Sequence, residues 1–138
     1  MYSRNRSGCF LLLAVLLVSG CATTPVRLEN GGLWKLHTID DELLYGDSEI
    51  TLRFDSPGNL GGFAGCNDYS GEYRYEDGAI DVLEVTPVTR RDCDPAILEQ
   101  EQRYLRILEG ATNYHEQCDL LRMKSQEGER MLFKRVKR

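Results

Sequence analysis

Alternation of apolar and polar residues runs through most of this chain. In Ile50-Thr51-Leu52-Arg53-Phe54, the residues Ile50, Leu52 and Phe54 fall on one face, and Thr51 and Arg53 on the other. A period of two marks a half-buried strand. The same pattern predicts strands over 33–37, 60–64, 69–75, 79–85, 112–116, 120–124 and 131–136. In the longest run, Tyr69, Gly71, Tyr73 and Tyr75 share one face, with Ser70, Glu72 and Arg74 opposite. Turn-formers punctuate the runs, most densely at Asp55-Ser56-Pro57-Gly58-Asn59 and Glu76-Asp77-Gly78. One segment changes period. Ile97, Leu98, Tyr104, Leu105 and Leu108 recur at steps of three and four, which predicts a helix over about 94–109. Asp94 is its expected N-cap, Pro95 its first helical residue and Gly110 its C-terminal stop. Strands on both sides of a single helix predict an α+β domain, an antiparallel sheet of about 7–8 strands packed on that helix.

The first twenty residues break the pattern. Arg4 and Arg6 precede Cys9–Val18, ten nearly continuous apolar residues. A membrane-spanning helix needs about twenty, so the run reads as the core of a secretory leader. Val18-Ser19-Gly20-Cys21 resembles a bacterial lipobox, which implies cleavage before Cys21 and acylation of that cysteine. The alternative is ordinary leader cleavage with Cys21 incidental. The expected organisation is therefore a leader over 1–20, a lipidated tether over 21–30 and a domain over 31–138. By analogy with Gram-negative sorting, Ala22 after the cysteine points to the outer membrane, with the domain facing the periplasm.

Charge narrows the partners. The chain carries a formal charge of −5, and loss of a leader holding Arg4 and Arg6 lowers it to −7. An acidic balance argues against nucleic-acid binding, which needs clustered Lys and Arg. The closing run Lys134-Arg135-Val136-Lys137-Arg138 is basic, and reads as a solvated strand end or a contact to anionic headgroups or a partner.

Three cysteines remain beyond Cys9 and Cys21: Cys66, Cys93 and Cys118. In an oxidising compartment disulfides persist, and three thiols allow three single pairings, each leaving one over. A Cys66–Cys93 bridge would close a loop of about 28 residues, worth roughly 3–4 kcal/mol on the chain-entropy model. None of the pairs has the two-residue spacing of a redox or zinc motif.

The order of these pieces resembles the META domain, the HslJ-like family of bacterial envelope proteins. The pattern opens on Trp34-Lys35-Leu36 and continues through a strand ending in Phe54. Its signature is matched by Gly65-Cys66-Asn67-Asp68-Tyr69-Ser70-Gly71-Glu72-Tyr73. Thr86 or Thr89 to Cys93 occupies the next segment, where Arg90-Arg91-Asp92 is more polar than the pattern. Glu101, Tyr104, Leu105 and Leu108 fit the helix, and Leu120–Met123 with Met131–Phe133 the last hairpin. The resemblance implies a curved antiparallel sheet crossed by one helix. It also implies an envelope role in heat or antibiotic stress, without an agreed activity. Cys66–Cys93 is the expected bridge, and Cys118 lies outside the pattern.

The remaining chemistry is thin. Cys66 with His37 or His115 would make a thiol enzyme on paper. Asp40-Asp41-Glu42 and Asp92-Cys93-Asp94 lack calcium-loop spacing. The glycines from Gly58 to Gly65 lead into a strand rather than a helix and have no lysine, unlike a phosphate loop. The expectation is a non-enzymatic, lipid-anchored envelope protein with no cofactor, no metal and no catalytic residue. It would meet the membrane through its N-terminal lipid and an unknown envelope protein or peptide through a binding surface. A chaperone- or pilot-like lipoprotein carrying an apolar peptide or acyl chain is the alternative, and a small thiol-dependent enzyme a more remote one.

Overall fold

The computed structural model describes Leu28, residues 32–56 and residues 58–137, with Ser56 described by its backbone alone. The expected leader, the Cys21 acylation site and all of the tether except Leu28 lie outside the described residues. In chain order the elements are β1 (Leu33–Ile39), β2 (Glu42–Leu43), β3 (Thr51–Ser56), β4 (Asn59–Phe63), β5 (Asp68–Glu76), β6 (Ala79–Pro87), α1 (Pro95–Glu109), β7 (Ala111–Gln117), β8 (Leu120–Ser125) and β9 (Arg130–Arg135).

Neighbouring strands pair in the order β2-β1-β3-β4-β5-β6-β7-β8-β9, all antiparallel. β1 also pairs with β9, from Trp34↔Arg135 to Ile39↔Met131. That pairing corrects the expected curved sheet. β1 and β3 to β9 close into an eight-stranded barrel, with β2 appended and α1 as the single helix. Closure joins residues about a hundred positions apart, which a local periodicity cannot signal.

The predicted inner face over 50–54 holds: Leu52 and Phe54 of β3, and Ile50 just before it, are fully buried. Among the described residues, two of the four register shifts in the ladders adjust the alternation elsewhere. A register shift between Leu36 and Thr38 lets Leu36 and Ile39 both face inward, three residues apart. A second shift, opposite Glu72/Tyr73, sets Tyr73 against Val82 and Glu72 against Glu84. It leaves Leu83 as the extra residue, which is why a large apolar side chain there is exposed. Without the bulge, Glu84 would turn into the barrel.

The barrel is weakest between β6 and β7. There the ladder reduces to Ala79↔Asn113, helped by Tyr114 N–H donating to Gly78 C=O at 3.0 Å. α1 joins these two strands in sequence and packs against β6 and β8. Its Tyr104, Ile107 and Leu108 are fully buried among the barrel side chains. Asp94 caps it as expected, accepting from Ala96 N–H at 2.9 Å. Gly110 ends it, as expected. Its φ is −81°, not left-handed, while its N–H returns to Arg106 C=O. A Cβ there would stand 3.4 Å from that carbonyl oxygen, an ordinary contact, so neither packing nor backbone handedness demands glycine. Upstream of the expected domain start, Leu28 is also buried in the core.

Curvature needs close strand approach. A Cβ on Gly62 would lie 2.1 Å from Thr51 C=O, and one on Gly71 2.3 Å from Glu84 C=O. Both clashes are with backbone, so neither can be relieved by a rotamer change. Gly71→Ala is therefore expected to lower the unfolding free energy by about 1–3 kcal/mol, the usual cost of overpacking. Urea denaturation of the two proteins checks it; equal midpoints would show that the strands can part at no cost.

Candidate functional site

The signature residues converge where the β4–β5 hairpin meets the start of α1. Gly65 takes a φ of +105°, a conformation that L side chains rarely adopt. It turns the chain so that the N–H groups of Cys66 and Asn67 both point at Glu101 on the helix. Glu101 Oε2 accepts from Asn67 N–H at 2.6 Å and from Cys66 N–H at 3.2 Å. Its Oε1 accepts from Asn67 Nδ2 at 2.9 Å. Glu101 is 5% exposed, and three donors satisfy it where water does not reach.

Asn67 uses its other amide atom on the segment before the helix. Its Oδ1 accepts from Arg91 N–H at 2.7 Å and Thr89 Oγ1–H at 3.0 Å. Thr89 Oγ1 in turn accepts from Asp68 N–H at 3.0 Å. The Arg91 guanidinium donates to Cys66 C=O at 3.1 Å and pairs with Asp68 at 2.8 Å. These contacts fix the register that Arg90-Arg91-Asp92 left open: Thr89 is the threonine the hairpin engages, and Arg91 is part of the junction. Cys66 and Cys93 are joined in a disulfide. Neither sulfur carries a thiolate, so a thiol mechanism has no nucleophile at Cys66. Cys118, in the β7–β8 turn, is not a free thiol either, so the expectation that one of the three is left over does not hold for it.

The tyrosines of the signature are interior. Tyr69 O–H donates to Thr51 C=O at 2.8 Å, so it must accept from Tyr104 O–H, 2.7 Å away. Burial pushes both phenols above their ordinary value of 10.0, and Tyr69 further because Tyr104 lies beside it. Tyr73 lies edge-on to Phe54 with ring centroids 4.9 Å apart, and Trp34 is buried beneath the Arg135 guanidinium, 4.3 Å from its ring. Gly65, Cys66, Asn67, Tyr69, Gly71, Tyr73 and Trp34 thus build the scaffold. Among them only Gly65 and Gly71 retain more than slight exposure.

The other candidates are dispersed. His37 and His115 lie on outer strand faces, with His37 Nε2 3.2 Å from Lys134 Nζ. Asp40 and Glu42 both pair with Arg103 at 3.1 and 3.5 Å, and Asp41 with Arg130 at 2.8 Å. Among the described residues, no three His, Cys, Asp or Glu side chains are grouped to hold a metal ion.

What the sequence reading missed is a cleft of about 350 Å³ between the β1–β2 hairpin and α1. Ile39 and Leu44 lie toward the core, while Leu43 and Tyr45 line it at 75% and 57% exposure. Tyr45 N–H donates to Gln100 Oε1 at 2.6 Å, and Gln100 Nε2 is buried without a hydrogen-bond partner. The apolar pair Leu43-Leu44 preceding Tyr45 was the available signal.

Comparison with known proteins places this geometry. The model for the META domain matches residues 26–138. An NMR structure of a protein from Burkholderia xenovorans is similar at 19% identity and a TM-score of 0.62, over 100% of both chains. A second NMR structure, at 18% identity and a TM-score of 0.62, covers 79% of this chain and 94% of its own. At such identity the likeness is one of fold. No curated protein matches the chain.

Two outcomes follow from the junction. Glu101→Gln turns an acceptor into a donor facing buried N–H groups, and should cost about 1–3 kcal/mol of stability, read by urea denaturation at neutral pH. Alkali acts through the phenols. A folded-state value raised above the unfolded value means that the native state keeps protons the unfolded chain releases. Stability should hold below pH 10 and fall as pH rises above it toward the folded-state values. Tyr104→Phe should flatten that fall; an unchanged pH profile would remove the buried pair as its cause.

Proposed function

Because this chain belongs to the META-domain family, we propose that it is a non-enzymatic, lipid-anchored envelope protein that supports tolerance of heat or antibiotic stress through a binding surface. The observation that carries this reading is the division of labour in the fold. The distinctive polar groups, Cys66, Asn67 and Glu101, are spent on holding the hairpin to the helix. The exposed apolar residues Leu43 and Tyr45 stand instead beside a cleft with an unused amide donor. Isolated exposed leucines are ordinary; two beside a concavity with a free donor are a binding arrangement.

That same observation favours a second, narrower reading: the cleft holds an apolar peptide or acyl chain, as a chaperone- or pilot-like lipoprotein would. Acylation at Cys21 would keep the domain near the membrane in either case.

Both parts are testable in the full chain. Metabolic labelling with an alkyne fatty acid should mark the protein, and Cys21→Ser should abolish the mark. Labelling that survives Cys21→Ser would refute the anchor. For the surface, Leu43→Asp with Tyr45→Ser should weaken binding of a fluorescent fatty acid or apolar peptide by at least about tenfold, since each buried apolar side chain is worth about 1.5–3 kcal/mol. Unchanged binding would move the surface elsewhere.

A further inference from the structure

The outside of the barrel is divided by charge. Pairing across β7, β8, β9 and β1 lines up His115, Arg122, Leu132 and Thr38 in one row. The next rows set Lys124 beside Arg130, and Lys134 beside Lys35. No outward position on these four strands is a carboxylate; Glu116, the nearest, is turned to Arg135 with its side chain 7% exposed. The opposite wall is reversed. β5 and β6 present Glu72, Glu76, Asp81 and Glu84 outward, against the single cation Arg74. All four lysines of the chain lie on the basic strands or just beyond them, although the protein as a whole carries −5.

The positive charge is poorly compensated from within. Among the described residues, Arg122 and Lys124 have no ion-pair partner, and Lys134 meets only the imidazole of His37. Lys35 pairs with Glu49 at 3.3 Å and Arg130 with Asp41 at 2.8 Å, but all four side chains are about half exposed or more. Exposed pairs of that kind are weak and open to exchange. Arg122, Lys124, Arg130 and His115 surround a concavity of about 280 Å³, with Leu132 and one carboxylate, the Asp41 that pairs with Arg130, also in its lining.

The chain also enters from this side. Val136 N–H donates to Leu33 C=O at 2.8 Å, which sets the exit of β9, with Lys134 and Lys137, beside the entry to β1. Cys21 lies only seven positions before the buried Leu28, with six residues between them. Fully extended, this stretch reaches about 25 Å. An acylated Cys21 would therefore hold this face close to headgroups, where an anionic surface attracts Lys and Arg within about one Debye length.

We propose that the outer face of β7, β8, β9 and β1 docks the domain onto anionic phospholipid, with lipid phosphate seated among Arg122, Lys124 and Arg130. The proximity part of this argument rests on the lipid-anchor reading; the charge division does not.

The test uses the full chain on vesicles of phosphatidylcholine alone or mixed with phosphatidylglycerol. Lysines are acylated with a water-soluble active ester and each site is read by mass spectrometry. Labelling of Lys124 and Lys134 should fall about tenfold on the anionic vesicles and recover at high salt. Carbodiimide labelling of Glu72, Asp81 and Glu84 should not change. Arg122→Glu with Lys124→Glu should restore labelling of Lys134 with an unaltered circular dichroism spectrum, and Lys124→Arg should leave Lys134 protected. Equal labelling of Lys124 and Lys134 on the two vesicle types would overturn the proposal. So would protection that requires an added acidic protein and no anionic lipid. Flotation with the neutral vesicles reads the anchor separately: a chain that fails to float there refutes the anchor, while coverage of the basic face is still read on the anionic ones.

Discussion

The carboxyl group of Glu101 holds the hairpin and the helix in one arrangement. Three N–H groups from Cys66 and Asn67 end on it, inside a region that water does not reach. Had the helix no acceptor there, the Gly65 turn would bury two backbone donors with nothing to bind, at a cost comparable to a large share of a small domain's net stability. The Cys66–Cys93 bond fixes the same junction from the helix start, and Arg91 from the strand side. With the hairpin so held, Tyr69 can reach Tyr104, and the buried face of α1 is set against the barrel core.

Seen this way, the conspicuous residues of the chain explain its shape more than its task. A glycine-rich loop beside a cysteine could be a ligand cradle or a reactive site, yet here each group has a partner within the fold. Surface chemistry is left to less conspicuous places: an apolar ledge at Leu43 and Tyr45, and two walls of opposite charge. The barrel is an economical support for such a division, because alternate residues on each strand serve the core and the others are free to differ from wall to wall.

Much of the fold was legible in the sequence where a side chain's neighbours are close along the chain. Ile50, Leu52 and Phe54 alternate as they pack, and Asp94-Pro95 opens the helix as capping chemistry requires. Legibility ended where the cause is distant. Nothing in Trp34–Ile39 says that Met131–Arg135 will close on it, so a closed barrel read as a curved sheet. Leu83 looked like one more strand residue because a bulge is defined by the partner strand. Glu101 was readable as part of a helical pattern, but not as the acceptor for amides some 35 positions away. β2 is two residues long, too short to carry a period, so the cleft it borders had no signal of its own beyond Leu43-Leu44.

The nearly unpaired seam between β6 and β7 has a consequence for how the molecule comes apart. A closed barrel has no free strand edge, which is a protection against joining strands of other molecules. Here that protection depends on one Cα pair, one backbone hydrogen bond and the helix that spans the same two strands. If α1 lifts, the outer edges of β6 and β7 become templates at once, while the remaining ladders stay intact. The amides along this seam are thus expected to exchange with solvent first. Aggregation would begin from a nearly native molecule with its helix displaced, without prior unfolding of the barrel.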